Sequence, residues 1–309
     1  MTGAARGCTL RPMDERRLLM IPGPIELEPS VLHALGHKTR SHVDPAFIEV
    51  FGRALGRVRT IFGAERAEPF VIAGSGTLAM EVAAASLVEP DDAVLVVETG
   101  YFGERMSAIM ERLGARVTRI AAAPGRAPAL SSVEDALRGG AFRVVTVTHV
   151  DTSTGVRAPV EAIAALARAH GALSIVDGVC SVGAEELAMD AWGIDCTLTA
   201  SQKALGAPPG LAVLCFSTGA LERVRTRRTK VASLYLDALE WLPIMQAYQE
   251  RRPAYFATPA VNLVTALDAS LGLLVAEGMP ARARRHAHLS RALRAGLGGL
   301  GLSILAEEA

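Results

Sequence analysis

With 309 residues, 50% of them hydrophobic and 21% charged, the chain can bury a full core and is too apolar for a disordered segment. Lysine plus arginine equals aspartate plus glutamate at 32 each, so no basic field draws nucleic acid or an anionic membrane surface. No apolar run reaches the roughly 18 residues of a membrane span.

Residues 1–18 read as an N-terminal extension without the apolar core of a signal peptide. Ile21-Pro22-Gly23-Pro24 cannot be helix interior and predicts a fixed extended loop. Over 45–61 the apolar residues Phe47, Val50, Phe51, Leu55, Val58 and Ile61 recur at helical spacing. Short apolar or β-branched runs bounded by turn formers predict seven strands, at 70–73, 93–97, 116–120, 143–148, 173–176, 196–199 and 211–216. Alanine-rich helical stretches at 78–87, 104–113 and 160–170 fall between most of them. The alternation argues for an α/β fold with a mostly parallel sheet covered on both faces. Residues 259–276 predict a long linking helix, 282–297 another, and 302–305 the first strand of a further unit. The domain reading is therefore a large domain over 19–258 followed by the start of a small one over 259–309. The cysteines Cys8, Cys180, Cys196 and Cys215 have neither CxxC spacing nor a metal set. Cys196 and Cys215 sit in apolar runs and read as core thiols of a reducing, cytoplasmic compartment.

Two of the strands carry the chemistry. One ends on Asp177, and the other is followed by Ser201-Gln202-Lys203. In one parallel sheet both residues emerge at the carboxyl edge, where open α/β sheets bind ligands. An amine to hold an aldehyde and an acid to keep a ring nitrogen protonated are two requirements of pyridoxal 5′-phosphate chemistry. Gly74-Ser75-Gly76-Thr77, at a strand-to-helix turn, offers backbone N–H groups and hydroxyls to a phosphate. The same loop supports a rival. Gly74-x-Gly76-x-x-Ala79, with Glu98 ending the next strand, matches a dinucleotide fingerprint. Phe102, in Gly100-Tyr101-Phe102-Gly103, is placed to stack on a planar ring. The hydroxyl-rich Asp151-Thr152-Ser153-Thr154-Gly155 suits a polar ligand, and Tyr255 and Thr258 offer phosphate contacts across a dimer interface.

Taken together, Pro22-Gly23-Pro24, Gly74-Ser75-Gly76-Thr77, Ser153-Thr154-Gly155, Asp177 with Val179, and Ser201-Gln202-Lys203-Ala204-Leu205 with Ala207-Pro208-Pro209-Gly210 resemble the class V aminotransferases of pyridoxal phosphate fold type I. The alanine–glyoxylate and serine–glyoxylate (serine–pyruvate) group is the most similar. The resemblance implies that Lys203 holds the cofactor and shuttles the substrate α-proton. It implies further that Asp177 pairs with the ring nitrogen, Val179 and Phe102 flank the ring, and Ser153 binds the ring hydroxyl. Ser75, Gly76, Thr77 and Gln202 would take the phosphate, joined by Tyr255 and Thr258 from the second subunit of a homodimer. Gly23 would border the substrate, a small amino acid or 2-oxo acid. Relatives continue into a C-terminal domain with a carboxylate-gripping arginine whose motif is not found here, so the chain reads as a C-terminally truncated member. Two alternatives follow: a lyase or desulfurase of the same fold, or a catalytically weak cofactor-binding dimer.

Overall fold

The computed structural model describes residues 19–307; the N-terminal extension and Cys8 lie outside them. Strands β1 (Glu68–Ala73), β2 (Ala93–Glu98), β3 (Arg116–Ala121), β4 (Val144–Thr148), β5 (Leu173–Asp177), β6 (Cys196–Ala200) and β7 (Leu211–Phe216) form a single sheet. Its order is β1-β7-β6-β5-β4-β2-β3. Neighbours from β3 to β6 are parallel, and only β7 runs against its partners β6 and β1. The mostly parallel α/β architecture expected from the sequence is present. β4, β6 and β7 are buried along their whole length, which is why they read as continuous apolar runs. Edge strand β3 instead exposes Arg116 and Arg119, charges that discourage pairing with another chain. The chain steps outward from β2 to β3, then turns back through β4 toward β7. The carboxyl ends of β2 and β4 therefore flank the reversal where such sheets take ligands.

Helices cover both faces. α1 (Pro29–Leu35) and α2 (Pro45–Phe62) precede the sheet, and α2 buries Phe47, Phe51, Leu55, Val58, Ile61 and Phe62. α3 (Gly76–Leu87) is alanine-rich and packs on β6 and β7, while α4 (Tyr101–Arg112) packs on β2 and β3. Next come α5 (Leu130–Gly139), α6 (Val160–Ala169), α7 (Met189–Trp192), α8 (Thr218–Arg225) and α9 (Ala238–Gln249). α10 (Val261–Glu277) lies on α1 and α2, burying Val264, Leu267, Leu271 and Leu274. Its buried Asp268 pairs with Arg53 and Arg57 of α2. α11 (Met279–Gly299) buries no residue. No single helix among the described residues is long and apolar enough to cross a membrane.

One expected element is absent. Residues 302–305 form no strand; the backbone around them is bonded to the end of α11 and to a loop. Leu302 N donates to Leu297 O at 3.0 Å, and Glu307 N donates to Gly125 O at 3.0 Å. Both strand cysteines do lie in the core, and burial pushes their thiols up.

The segment after α8 is fastened to α3 by a buried acid. Glu89 accepts from Arg223 Nη2 at 2.8 Å and from the N–H groups of Arg228 and Thr229 at 2.8 and 2.7 Å. Burial alone would raise its pKa, but the Thr229 and Arg228 hydrogen bonds and the Arg223 charge together hold it at about 2. This carboxylate therefore stabilises the fold above its ordinary pKa, and the contribution fades as pH falls toward 2. Arg223→Met leaves the buried charge without its main counter-ion, and should lower the unfolding free energy by about 3 kcal/mol in urea melts at neutral pH.

Candidate active site

Asp177 closes β5, in register between Thr148 of β4 and Leu198 of β6. It is 2% exposed; Oδ1 accepts from Val179 N at 2.9 Å, while Oδ2 has no partner. Burial pushes this carboxyl up to about 6, helped by the nearby charge of Asp151 and opposed by the Val179 N–H and Arg105. Such an oxygen invites a proton or a cation. Around it a narrow cleft is lined by Phe102, Thr148, Thr152, Val179 and Cys180.

Lys203 follows β6 in a loop closed on itself. Ser201 Oγ donates to Pro208 O at 2.6 Å, and Gly206 N to Lys203 O at 2.9 Å. The 21–24 loop lies directly on the lysine: a Cβ at Gly23 would fall 2.6 Å from Lys203 Cδ and 3.1 Å from Nζ. Gly23 also has φ +148°, so glycine is required there twice over. Lys203 stands three residues beyond Ala200, the end of β6, which is the strand paired beside Asp177.

An anion-binding turn meets these groups at the start of α3. Ser75 caps the helix, its Oγ accepting from Leu78 N at 3.4 Å. That leaves the N–H groups of Gly76 and Thr77 without a partner in the helix. A Cβ on Gly76 would stand 3.2 Å from both Ala200 Cβ and Val179 Cγ2. Its absence lets the helix start rest against the end of β6. Gln202, which precedes Lys203 in the chain, has a buried Oε1 without a hydrogen-bond partner among the described residues. The dinucleotide alternative fails here on two counts. The Gly74 loop follows β1, at the sheet edge. Glu98 is already engaged, accepting from Ser107 Oγ at 2.6 Å and pairing with Arg119.

The aromatic wall is set by a buried acid the sequence reading passed over. Asp151 is fully buried; Oδ2 accepts from Phe102 N at 3.0 Å, and Oδ1 from Ser153 N and Oγ at 2.9 and 2.6 Å. Ser153 Oγ in turn accepts from Tyr101 N at 3.0 Å. The exposed Ser153 thus spends its hydroxyl on this clamp and does not line the Asp177 cleft. Thr152 does, with Oγ1 2.6 Å from Cys180 Sγ. Only the register of the loop distinguishes the two hydroxyls, and no spacing in the sequence reveals it. Tyr255 and Thr258 stand apart from the cleft. Tyr255 is 63% exposed with its ring on His42, and Thr258 borders a pocket with Phe51, Trp241 and Tyr248. Cys180 sits in a turn fixed by Ser181 N and Val182 N on Gly178 O, and burial raises its thiol. That disfavours the desulfurase alternative, which needs a mobile thiolate.

An acid with a free buried oxygen, an amine under a glycine, an anion-binding helix start and an aromatic wall gather at one edge of the sheet. They fit pyridoxal 5′-phosphate, which supplies the matching ring nitrogen, aldehyde, phosphate and flat ring. These are the parts of a fold type I pyridoxal phosphate enzyme. The family model for aminotransferase class V matches residues 28–307, and the chain belongs to that family. It is 38% identical over 283 residues to alanine–glyoxylate aminotransferase 1 of Saccharomyces cerevisiae, covering 88% of this chain and 74% of that one. The solved alanine–glyoxylate aminotransferase of Nostoc sp. superposes with a TM-score of 0.89 at 36% identity, covering 96% of this chain and 78% of that one. Pyridoxamine–pyruvate aminotransferase of Mesorhizobium loti superposes at 0.88 with 31% identity, covering 96% and 75%.

Two predictions come from this geometry. The folded pKa of Asp177 lies above its ordinary value of 3.8, so the cofactor-free protein should lose stability as pH rises from that value through about 6. Asp177→Asn should remove this dependence and raise the unfolding free energy of the cofactor-free protein by roughly 3 kcal/mol at neutral pH, while weakening cofactor binding. Thr152→Val should weaken cofactor affinity more than Ser153→Val does, as read by titrating the cofactor into each purified variant.

Proposed function

We propose that this aminotransferase moves the amino group of a small L-amino acid, alanine or serine, to glyoxylate or pyruvate. The observation that carries the reading is the press of the 21–24 loop on Lys203, which leaves little room beside the amine for a bulky side chain. The names of the Saccharomyces and Nostoc relatives support alanine and glyoxylate, and the Mesorhizobium name supports pyruvate as acceptor.

In this reading Lys203 Nζ would hold the cofactor aldehyde and would move the proton at the substrate α-carbon. Asp177 Oδ2 holds the protonated ring nitrogen, which gives its stray buried charge a partner. Bound there, pyridoxal phosphate supplies the electron sink that makes the α-proton acidic. Phe102, Val179 and Thr152, which line the cleft, would hold the ring. Ser75, Gly76, Thr77 and Gln202 hold the phosphate at the start of α3. Tyr255 and Thr258 act from the second copy of a homodimer, consistent with Tyr255 standing exposed and outside its own cleft. Gly23 borders the incoming substrate.

A visible absorption spectrum of the cofactor-loaded protein tests the reading. L-Alanine should bleach the yellow band, and glyoxylate or pyruvate should restore it. A band that alanine and serine leave untouched, but another donor bleaches, would replace the proposed substrates. Lys203→Ala should lose borohydride-trappable cofactor and slow the α-proton step by about 10²–10⁴-fold. Trapping at wild-type level in that variant would mean a different lysine carries the chemistry.

A further inference from the structure

Arg105 joins the two ends of the crevice. It lies three and four residues beyond Phe102 and Tyr101, so all three side chains share one face of α4. Its Nη1 donates to Thr77 Oγ1 at 3.0 Å, in the anion-binding turn. Its Nη2 donates to Tyr101 Oη at 3.0 Å. The guanidinium carbon stands 5.0 Å from the centroid of the Phe102 ring and 4.9 Å from that of Tyr101. Both hydrogen-bond partners are neutral, and among the described residues no carboxylate forms an ion pair with it. A guanidinium has five N–H donors, and these contacts use two of them. Half-buried and without a counter-ion, Arg105 keeps its positive potential at the mouth of the α3 N-terminus.

That arrangement suits a dianion. The guanidinium lies over the aromatic wall, while its Nη1 reaches the turn where the phosphate would sit. We propose that Arg105 is a cofactor-positioning residue, which offsets the phosphate charge through the Thr77 turn and fixes Phe102 as the wall beside the ring. The proposal rests on the reading that pyridoxal phosphate binds here through Lys203.

Lysine at this position would keep the charge but lose the fork and the flat stacking face. Comparing Arg105→Gln with Arg105→Lys therefore separates the two contributions. The starting point is wild type loaded with pyridoxal phosphate, reduced with borohydride and mapped by mass spectrometry. Failure to find the cofactor on Lys203 would sink the site reading itself. With Lys203 labelled, Arg105→Gln should weaken pyridoxal phosphate binding by about ten- to a hundredfold, the scale of one charge-assisted hydrogen bond. Its affinity for pyridoxal, which lacks the phosphate and feels only the loosened Phe102 wall, should fall by less, within about threefold of wild type. Arg105→Lys should stay within about threefold of wild type for pyridoxal phosphate, yet lose much of the circular dichroism induced in the bound chromophore. Thr77→Val should cost less in the Arg105→Gln background than in wild type, since the link between the two is then already broken. Wild-type affinity in Arg105→Gln, or an equal loss for pyridoxal and pyridoxal phosphate, would overturn the proposal and leave Arg105 a purely structural residue.

Discussion

The site is organised around a buried carboxylate with one oxygen left over. Asp177 is held by its own chain through Val179 N, so it cannot swing out to water. The surrounding wall is apolar or weakly polar, and the nearby Asp151 makes ionisation harder still. A fold that carries such a group without a function would be under steady pressure to lose it. Here the neighbouring features answer it. A narrow slot beside Phe102 and Val179, a lysine after β6 and an anion-binding turn at the start of α3 lie at the same edge of the sheet.

Close backbone approach is the means by which these parts are brought together. Glycine at 76 lets the start of α3 rest on the ends of β5 and β6. At position 100 it leaves space for the clamp of Asp151 and Ser153, whose atoms a Cβ would meet at 2.8 and 2.4 Å. At position 23 it lets a loop remote in sequence lie across Lys203. Each contact trades side-chain packing for precision of placement, and all three converge on one crevice. Asp151 shows how such precision is kept. Its three accepted hydrogen bonds turn a hydroxyl-rich loop into a fixed bracket behind Phe102.

Much of this was legible in the sequence because burial on both faces leaves a plain signature. All seven strands were read to within two residues, since fully covered strands are short apolar runs between turn formers. Asp177, Lys203 and the Gly74–Thr77 turn stood out because each sits where a strand ends. The less visible parts depend on tertiary neighbours. α5 buries only Val133 and Leu137, and α9 carries Pro243 inside its span, so neither gave a clean helical pattern. Arg105 reads as an ordinary helix charge until Thr77 arrives from another element. Ser153 and Thr152 differ by a single position, and only the turn of the loop decides which one faces the cleft. The run at 302–305 was strand-like in composition, but strands need a partner edge as well as a propensity.

The reversed direction of β7 bears on how the crevice comes together. β6 and β7 are joined by a compact loop, so the segment bearing Lys203 is organised by contacts close in sequence. β5 reaches β6 across a short helix, and Asp177 therefore joins the lysine early in any path that favours local contacts. β1 is different, because among the described residues its only strand partner is β7, far along the chain. Its end is tied to the lysine loop by Gly74 N on Gly210 O at 2.8 Å. The anion-binding turn can take its place only after that long-range closure. On that order the anion-binding side of the crevice completes after the acid and the amine have met, once β1 has closed the sheet on β7.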